Sequence, residues 1–361
     1  MPSSLIPSFA TPGPPRITAE ERYSRQVLFK SIGVAGQQHL ASAHVAIIGC
    51  GATGTVSASL LARAGVGTIT LVDRDFVEAS NLQRQILFDE ADAQESLPKA
   101  EAARRKIALF NSDVTVHAHI ADLVPGNIGS LVDAAHVILD ATDNFETRYL
   151  INDFAVQQGT PWIYAAAVGS YAASMNILPA PHNLRTACLA CIFPKPPGGP
   201  VETCDTAGIL STAVNFAASL QVTEALKFLT GQPEAIRRTL LSYDLWTSER
   251  SEVSTSRPDP ACIVCGQRVF MHLAGHDRPH ITLCGRNAVQ IHERHRPIDF
   301  AVMRNRLENH SEVEDLRFND LLLRFRRGAH TLTLFKDGRV LVQGTTDITL
   351  ARSLYARFIG S

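Results

Sequence analysis

The stretch from His44 to Lys99 constrains the chain more than any other. It opens with the short apolar run Val45-Ala46-Ile47-Ile48, followed by Gly49-Cys50-Gly51-Ala52-Thr53-Gly54. A helix-like segment runs from Val56 to Ala64, and a second β-type run, Thr68-Ile69-Thr70-Leu71-Val72, is closed by Asp73. This is a βαβ unit with G-x-G-x-x-G at its first turn. The first glycine permits the tight turn, the second lets backbone approach a phosphate, and the third allows helix and strand to pack closely. The helix N-terminus offers N–H donors to an anion. Asp73 at the end of the second strand can accept hydrogen bonds from ribose hydroxyls. The unit is therefore expected to bind an adenine nucleotide.

The residues that follow decide which one. Asp75, Asn81-Leu82-Gln83-Arg84-Gln85 and Lys99 have no standing purpose in a dinucleotide dehydrogenase. Two cations and an amide at one end of a sheet suit a triphosphate better than a nicotinamide. Lys99 follows Pro98, which fits the first turn of a helix running to about Phe110. A lysine there opposes the helix dipole, a placement that a bound phosphate would neutralise.

The ordered motifs Arg22-Tyr23-Ser24-Arg25-Gln26, the Gly49 loop, Asp73-Arg74-Asp75, Ser80-Asn81-Leu82-Gln83-Arg84-Gln85, Pro98-Lys99 and Ala141-Thr142-Asp143-Asn144 resemble those of the MoeB/ThiF adenylyltransferases. These are bacterial relatives of ubiquitin-activating enzymes. The resemblance spans about residues 20–267. It implies an α/β fold with a Rossmann-like, mostly parallel sheet and flanking helices. It also implies adenylation of the C-terminal glycine of a ubiquitin-like, ThiS- or MoaD-like sulfur carrier, for thiamine or molybdopterin sulfur incorporation, using ATP and Mg²⁺. Gly49, Gly51 and Gly54 would shape the phosphate loop, Asp73 and Asp75 would serve the nucleotide, and Asn81, Arg84 and Lys99 would bind phosphates. Arg25 would reach across a homodimer interface to the partner's ATP. The expected partners are the carrier, ending in Gly-Gly, and a sulfur donor such as a cysteine desulfurase or rhodanese. Rival readings are adenylation of a peptide or tRNA substrate, an NAD-dependent oxidoreductase, and a zinc scaffold.

With 361 residues, 45% of them hydrophobic and 19% charged, the chain can hold one large α/β domain and a smaller one. The 34 basic and 35 acidic side chains nearly cancel, so nothing electrostatic argues for nucleic acid or membrane. Residues 1–17 carry Pro, Ser and Gly without a basic start and apolar core, and read as a disordered lead-in, not a signal peptide. No apolar run approaches the roughly 18 residues of a membrane span, so a cytoplasmic protein is expected. The expected layout is an adenylating domain over 18–270, a linker over 271–279, and a small α+β domain over 280–361.

Thr18-Ala19-Glu20-Glu21 forms a capping box for helix over 18–43, broken at Gly33. Further on, Val114–Val116 reads as a strand, Asn127 to Ala134 as a helix, and Val137–Asp140 as a buried strand leading to a helix at Phe145. Asp143 lies at the carboxyl edge of that sheet, where a carboxylate can hold Mg²⁺, though a helix N-cap is the plainer role. The family match supports Asp140 as structural and Asp143 as the metal ligand. Trp162–Tyr164 and Tyr171–Ile177 read as further strands.

The pairs Cys188-x-x-Cys191 and Cys262-x-x-Cys265 suggest a closed, tetrahedral Cys₄ zinc site, which is structural because no coordination position stays open. Between them the Pro- and Gly-rich run Phe193–Pro200 cannot be regular structure, and it leads to Cys204. A thiol on such a tether suits a persulfide or thioester; the matching cysteine is linked to sulfur transfer in some members of the family and is dispensable for adenylation in others. Cys50 is expected to be a small packing residue. The helix Ser211–Thr230 spaces Val214, Ala218, Val222, Ala225 and Leu229 for one buried face.

Residues 280–361 read in the order strand (Ile281 to Ile291), helix (Ile298 to Asn309), strands at Leu321–Phe325, Thr331–Phe335 and Val340–Val342, and a final helix from Asp347 to Phe358. This small α+β module lacks the Cys-bearing loop of a rhodanese, and it is expected to dock the carrier or the sulfur donor.

Overall fold

A computed structural model describes residues 17–179, 185–195, 207–275, 280–283, 288–291, 298–336 and 338–360. The lead-in up to residue 16, the 196–206 stretch with Cys204, and Cys284 lie outside the described residues.

The capping box at Thr18 forms as expected: its hydroxyl accepts from the Glu21 amide at 3.2 Å, and Glu21 accepts from the Thr18 amide at 3.1 Å. It starts α1 (Ala19–Val27), which is followed by α2 (Gly33–Ser42) and β1 (His44–Ile48). Next come α3 (Ala52–Ala64), β2 (Thr68–Val72), the short α4 (Glu90–Gln94), α5 (Lys99–Phe110) and β3 (Thr115–His119). Then α6 (Ile128–Val132), β4 (Val137–Asp140), α7 (Phe145–Gln158), β5 (Trp162–Val168) and β6 (Tyr171–Ile177) follow. The short α8 (Leu189–Ile192), the long α9 (Ser211–Leu229), β7 (Thr239–Asp244) and β8 (Arg250–Ser254) complete this part.

These strands form one sheet in the order β3-β2-β1-β4-β5-β6-β7-β8. The run β3 to β5 is parallel, and β5 to β8 is antiparallel. The parallel strands β1, β2 and β4 are largely apolar because both faces are covered. One set of alternate residues, Val45, Ile47, Ile69, Leu71, Val137 and Leu139, packs with α3, α5 and α9 through Leu61, Ile107 and Val222. The other set, Ala46, Ile48, Val72 and Ile138, packs with α6 and α7 through Ile128, Ile151 and Phe154. The strand order reverses between β1 and β4, where α/β sheets of this kind bind ligands.

The C-terminal residues form a separate antiparallel sheet: β9 (His280–Leu283), β10 (Ala288–Ile291), α10 (Phe300–Glu308), β11 (Glu314–Phe318), β12 (Leu322–Arg327), β13 (His330–Phe335), β14 (Val340–Gln343) and α11 (Ile348–Phe358). The strand order is β11-β12-β13-β14-β10-β9. The single strand expected over Ile281–Ile291 is two antiparallel strands, and β11 has no counterpart in the expected order. Glu314-Asp-Leu-Arg-Phe has only two apolar residues and lies mostly exposed at the sheet edge, so its alternation is too weak to read. The strands β7 and β8 are likewise unforeseen; β8, Arg-Ser-Glu-Val-Ser, is an exposed edge strand without an apolar face. The last helix buries Ala351, Leu354, Tyr355 and Phe358 against Phe325 and Val342 as its spacing implies.

The two sheets touch. The face of the C-terminal sheet opposite α10 and α11 presents Ala288, Leu322, Phe335 and Leu341 to Phe76 and Ile120 of the first part. Arg324 lies 4.9 Å from the Phe76 ring centre.

Candidate active site

A cleft of about 380 Å³ opens at the carboxyl ends of β1, β2 and β4. Its floor is the glycine turn. Gly49 takes φ of +93°, and a Cβ there would stand 2.6 Å from the Ala141 carbonyl oxygen. A Cβ at Gly54 would meet the Gly49 carbonyl at 2.0 Å, so the third glycine lets α3 close onto the turn. Gly51 differs: the nearest atom to its added Cβ is Gln85 Nε2 at 4.0 Å. That open space lies before the N-terminus of a thirteen-residue helix, and its position fits a phosphate.

The acid at the end of β2 is anchored on both oxygens. Asp73 Oδ2 accepts from the Cys50 amide at 2.6 Å, and Oδ1 accepts from the Asp75 amide at 2.7 Å. Burial raises the Asp73 pKa above the ordinary carboxylate value, opposed by Lys99 and reinforced by Asp75. Cys50 is fully buried and burial pushes its thiol up, in keeping with a packing role.

Lys99 begins α5 behind Pro98, as the sequence implies. It is only 2% exposed, and its Nζ pairs with Asp75 Oδ2 at 3.3 Å. Asp75, not only a bound anion, therefore offsets the cation at the helix start. Arg84 lines the same cleft and donates from Nη1 to the Ser80 carbonyl at 2.8 Å. Asn81 is buried and does not line the cleft. Its Oδ1 accepts from the Glu78 amide at 3.1 Å, tying the turn that carries Arg84.

On the opposite wall stand Asp140 and Asp143, the first buried and the second exposed. Asp140 is buried, accepts from Thr142 at 2.7 Å and from Arg148 Nε at 3.0 Å, and burial raises its pKa against the pull of Arg148. Asp143 is exposed at the cleft. The N-cap of α7 is Asn144, whose Oδ1 accepts from the Thr147 amide at 2.8 Å, so the plainer capping role for Asp143 does not hold.

The structure thus brings together Gly49, Gly51, Asp73, Asp75, Arg84, Lys99 and Asp143. Arg25 does not line the cleft: it is exposed on α1, near exposed Leu28, Phe29 and Val34 in the sequence. Cys204 lies outside the described residues. Three charged cleft residues receive no role from the sequence alone. Arg148 is buried within α7, whose fourteen residues are half polar, so the arginine does not stand out in the sequence. Arg74 and Asp122 pair across the cleft wall at 2.6 Å. Asp122 follows β3 on a loop, and nothing local in the sequence marks it.

Away from the cleft, the thiols of Cys188, Cys191, Cys262 and Cys265 all lie within 4.8 Å of one another. Sulfur separations of 3.4 to 3.9 Å suit four ligands around one ion. Hydrogen bonding within the cluster holds the Cys265 thiol down and pushes the Cys188 thiol up. No helix among the described residues is long and apolar enough to cross a membrane.

Comparison with known proteins agrees with this geometry. Residues 23–264 match the model of the ThiF family. The chain is 44% identical over 342 residues to the sulfur carrier protein ThiS adenylyltransferase of Bacillus subtilis (strain 168), covering 94% of this chain and 99% of that one. It is 36% identical over 256 residues to the sulfur carrier protein adenylyltransferase of Thermus thermophilus, covering 70% of this chain and 93% of the relative. Among solved structures, E. coli MccB with ATP superposes with a TM-score of 0.59 at 25% identity, covering 69% of this chain and 75% of that one.

Proposed function

This chain belongs to the ThiF family, and from that premise we propose that it adenylates the C-terminal glycine of a ubiquitin-like sulfur carrier. The carrier's terminal carboxylate attacks the α-phosphorus of ATP; pyrophosphate leaves and an acyl-adenylate forms. The observation that carries this reading is the 44% identity to a ThiS adenylyltransferase over nearly the full length of both chains. It favours a ThiS-like carrier and thiamine sulfur incorporation over a MoaD-like carrier and molybdopterin. It also disfavours the oxidoreductase and scaffold readings.

The chemistry asks the protein mainly for position and charge. In this reading the Gly49–Gly54 turn and the start of α3 receive phosphate, and Asp73 accepts from the ribose. Lys99 and Arg84 neutralise the phosphates, while Asn81 holds the Arg84 turn. Asp143, the exposed carboxylate on the far wall, would hold Mg²⁺, which would screen phosphate charge when bound. Asp75 fixes the Lys99 ammonium. Cys188, Cys191, Cys262 and Cys265 would hold a structural Zn²⁺.

Arg25 would act from a second copy of the chain. Its exposure on α1, a few residues before Leu28 (71% exposed) and Phe29 (62%), supports an interface there. Cys204 would take sulfur or the activated carrier in a later step, with a cysteine desulfurase or rhodanese as donor.

The fold likeness to MccB keeps a peptide acceptor as the second reading, weighed down by its lower identity and coverage. Mass spectrometry of a ThiS-like carrier after incubation with ATP and the enzyme tests the proposal. An added AMP on the carrier's C-terminal glycine is expected; an unmodified carrier beside a modified short peptide would favour the second reading.

A further inference from the structure

An antiparallel sheet with helices on one face commonly leaves its other face to water. Here that face carries Ala288, Gln290, Leu322, Arg324, Leu341 and Gln343, the residues alternating with the inner core. Gln290 is 4% exposed. It sits mid-strand on β10, opposite Leu341 of β14.

Its amide nitrogen donates to Asp122 Oδ2. The other oxygen, Asp122 Oδ1, accepts from Arg74 Nη1 at 2.6 Å. Both Arg74 and Asp122 line the cleft, and Arg74 follows directly on Asp73. The segment leading to Asp122 is fastened a second time: Arg339 Nη2 donates to the Ile120 carbonyl at 2.7 Å, from a side chain 1% exposed. A burial this complete for a glutamine and an arginine is costly unless their polar atoms are matched, and both reach the same short loop of the first sheet.

We infer that Gln290 is a positioning residue of the nucleotide site. It holds the Asp122 carboxylate, and through it the Arg74 guanidinium, at the wall beside Asp73. The C-terminal sheet is thereby part of the ATP site. The position calls for a neutral donor. A carboxylate at 290 would repel Asp122, and an apolar side chain would leave Asp122 Oδ2 unmatched. The inference rests on the reading that the cleft takes ATP.

Equilibrium binding of a non-hydrolysable ATP analogue to the full chain, without carrier, provides the test. Gln290→Leu should weaken the analogue Kd by about tenfold, the scale of one hydrogen bond to a charged group. Gln290→Glu should weaken it further. Gln343→Leu removes a contact to Glu78 Oε1 at 3.5 Å on the same interface, away from Asp122, and should leave the Kd within about twofold. In an Asp122→Asn background, Gln290→Leu should add little, because the two act through one contact.

Equal weakening by Gln343→Leu and Gln290→Leu would overturn the positioning role in favour of general loosening of the interface. Tight analogue binding by wild type and Gln290→Leu alike would also overturn it, leaving the proposed function intact. A wild-type chain that binds no analogue would overturn both.

Discussion

Lys99 Nζ stands 3.3 Å from Asp75 Oδ2, with both side chains largely withdrawn from water, at the first turn of α5. The pair solves two problems together. It offsets a cation placed against the helix dipole, and it holds that ammonium at the cleft before any phosphate arrives. Preorganised charge of this kind is what phosphoryl and adenylyl transfer needs, because little covalent work falls to the protein.

Removing the lysine takes from the largely buried Asp75 its closest cation, with Arg74 Nε farther off at 3.9 Å. Lys99→Met is expected to destabilise the fold by about 3 kcal/mol and to cut carrier-dependent ATP–pyrophosphate exchange at least about 100-fold. Denaturant unfolding and exchange assays measure the two effects separately. Wild-type exchange in a folded Lys99→Met variant would remove lysine from the mechanism.

Arg84 and Asp143 should behave differently, since neither is buried. Arg84→Ala and Asp143→Ala are each expected to abolish exchange while shifting stability by no more than about 0.5 kcal/mol. Asn144→Ala provides the contrast: loss of the α7 N-cap should cost about 1 kcal/mol with a much smaller effect on exchange. A thermal melt beside each assay distinguishes the two classes of residue.

The pH dependence should report Asp73. Burial lifts its pKa above 3.8, so it protonates earlier on acidification than an ordinary aspartate and then loses an acceptor for ribose. ATP affinity is expected to fall on that acidic limb, and Asp73→Asn should bind weakly with the limb flattened. The stability sign is opposite. A raised folded value contributes stability that is present below the unfolded pKa and lost as pH rises through the folded one. Weakened binding at low pH therefore cannot come from unfolding driven by Asp73. An identical acidic limb in wild type and Asp73→Asn would assign the titration elsewhere.

The four-thiol cluster predicts one tightly held Zn²⁺ per chain by elemental analysis. Its removal by chelator should lower the melting temperature markedly, since metal-binding energy here is folding energy. Cys262→Ser should reproduce that loss. A metal-free chain that melts with the wild type would make the cluster a set of packed thiols.

Much of this architecture is legible in the sequence, and the misses have physical causes. The Gly49 turn, the helix starting at Lys99 and the buried strand Val137–Asp140 are readable because period, glycine placement and proline each point one way. The family resemblance, not position, separates Asp140 from Asp143; position alone suggests a helix N-cap for Asp143, and Asn144 takes that place. The strands β8 and β11 escape because exposed edge strands carry no apolar alternation. Asp122 and Gln290 escape for another reason: 168 residues separate them, and each becomes meaningful only when the second sheet is set against the first.

Whether the cleft activates a sulfur carrier is decided by ATP–pyrophosphate exchange with purified full-length protein, adding one candidate carrier at a time. Exchange should require a carrier ending in Gly-Gly, be strongest with a ThiS-like carrier, and disappear in Arg84→Ala. Exchange without any carrier, or none with any carrier while ATP still binds, would refute carrier adenylation.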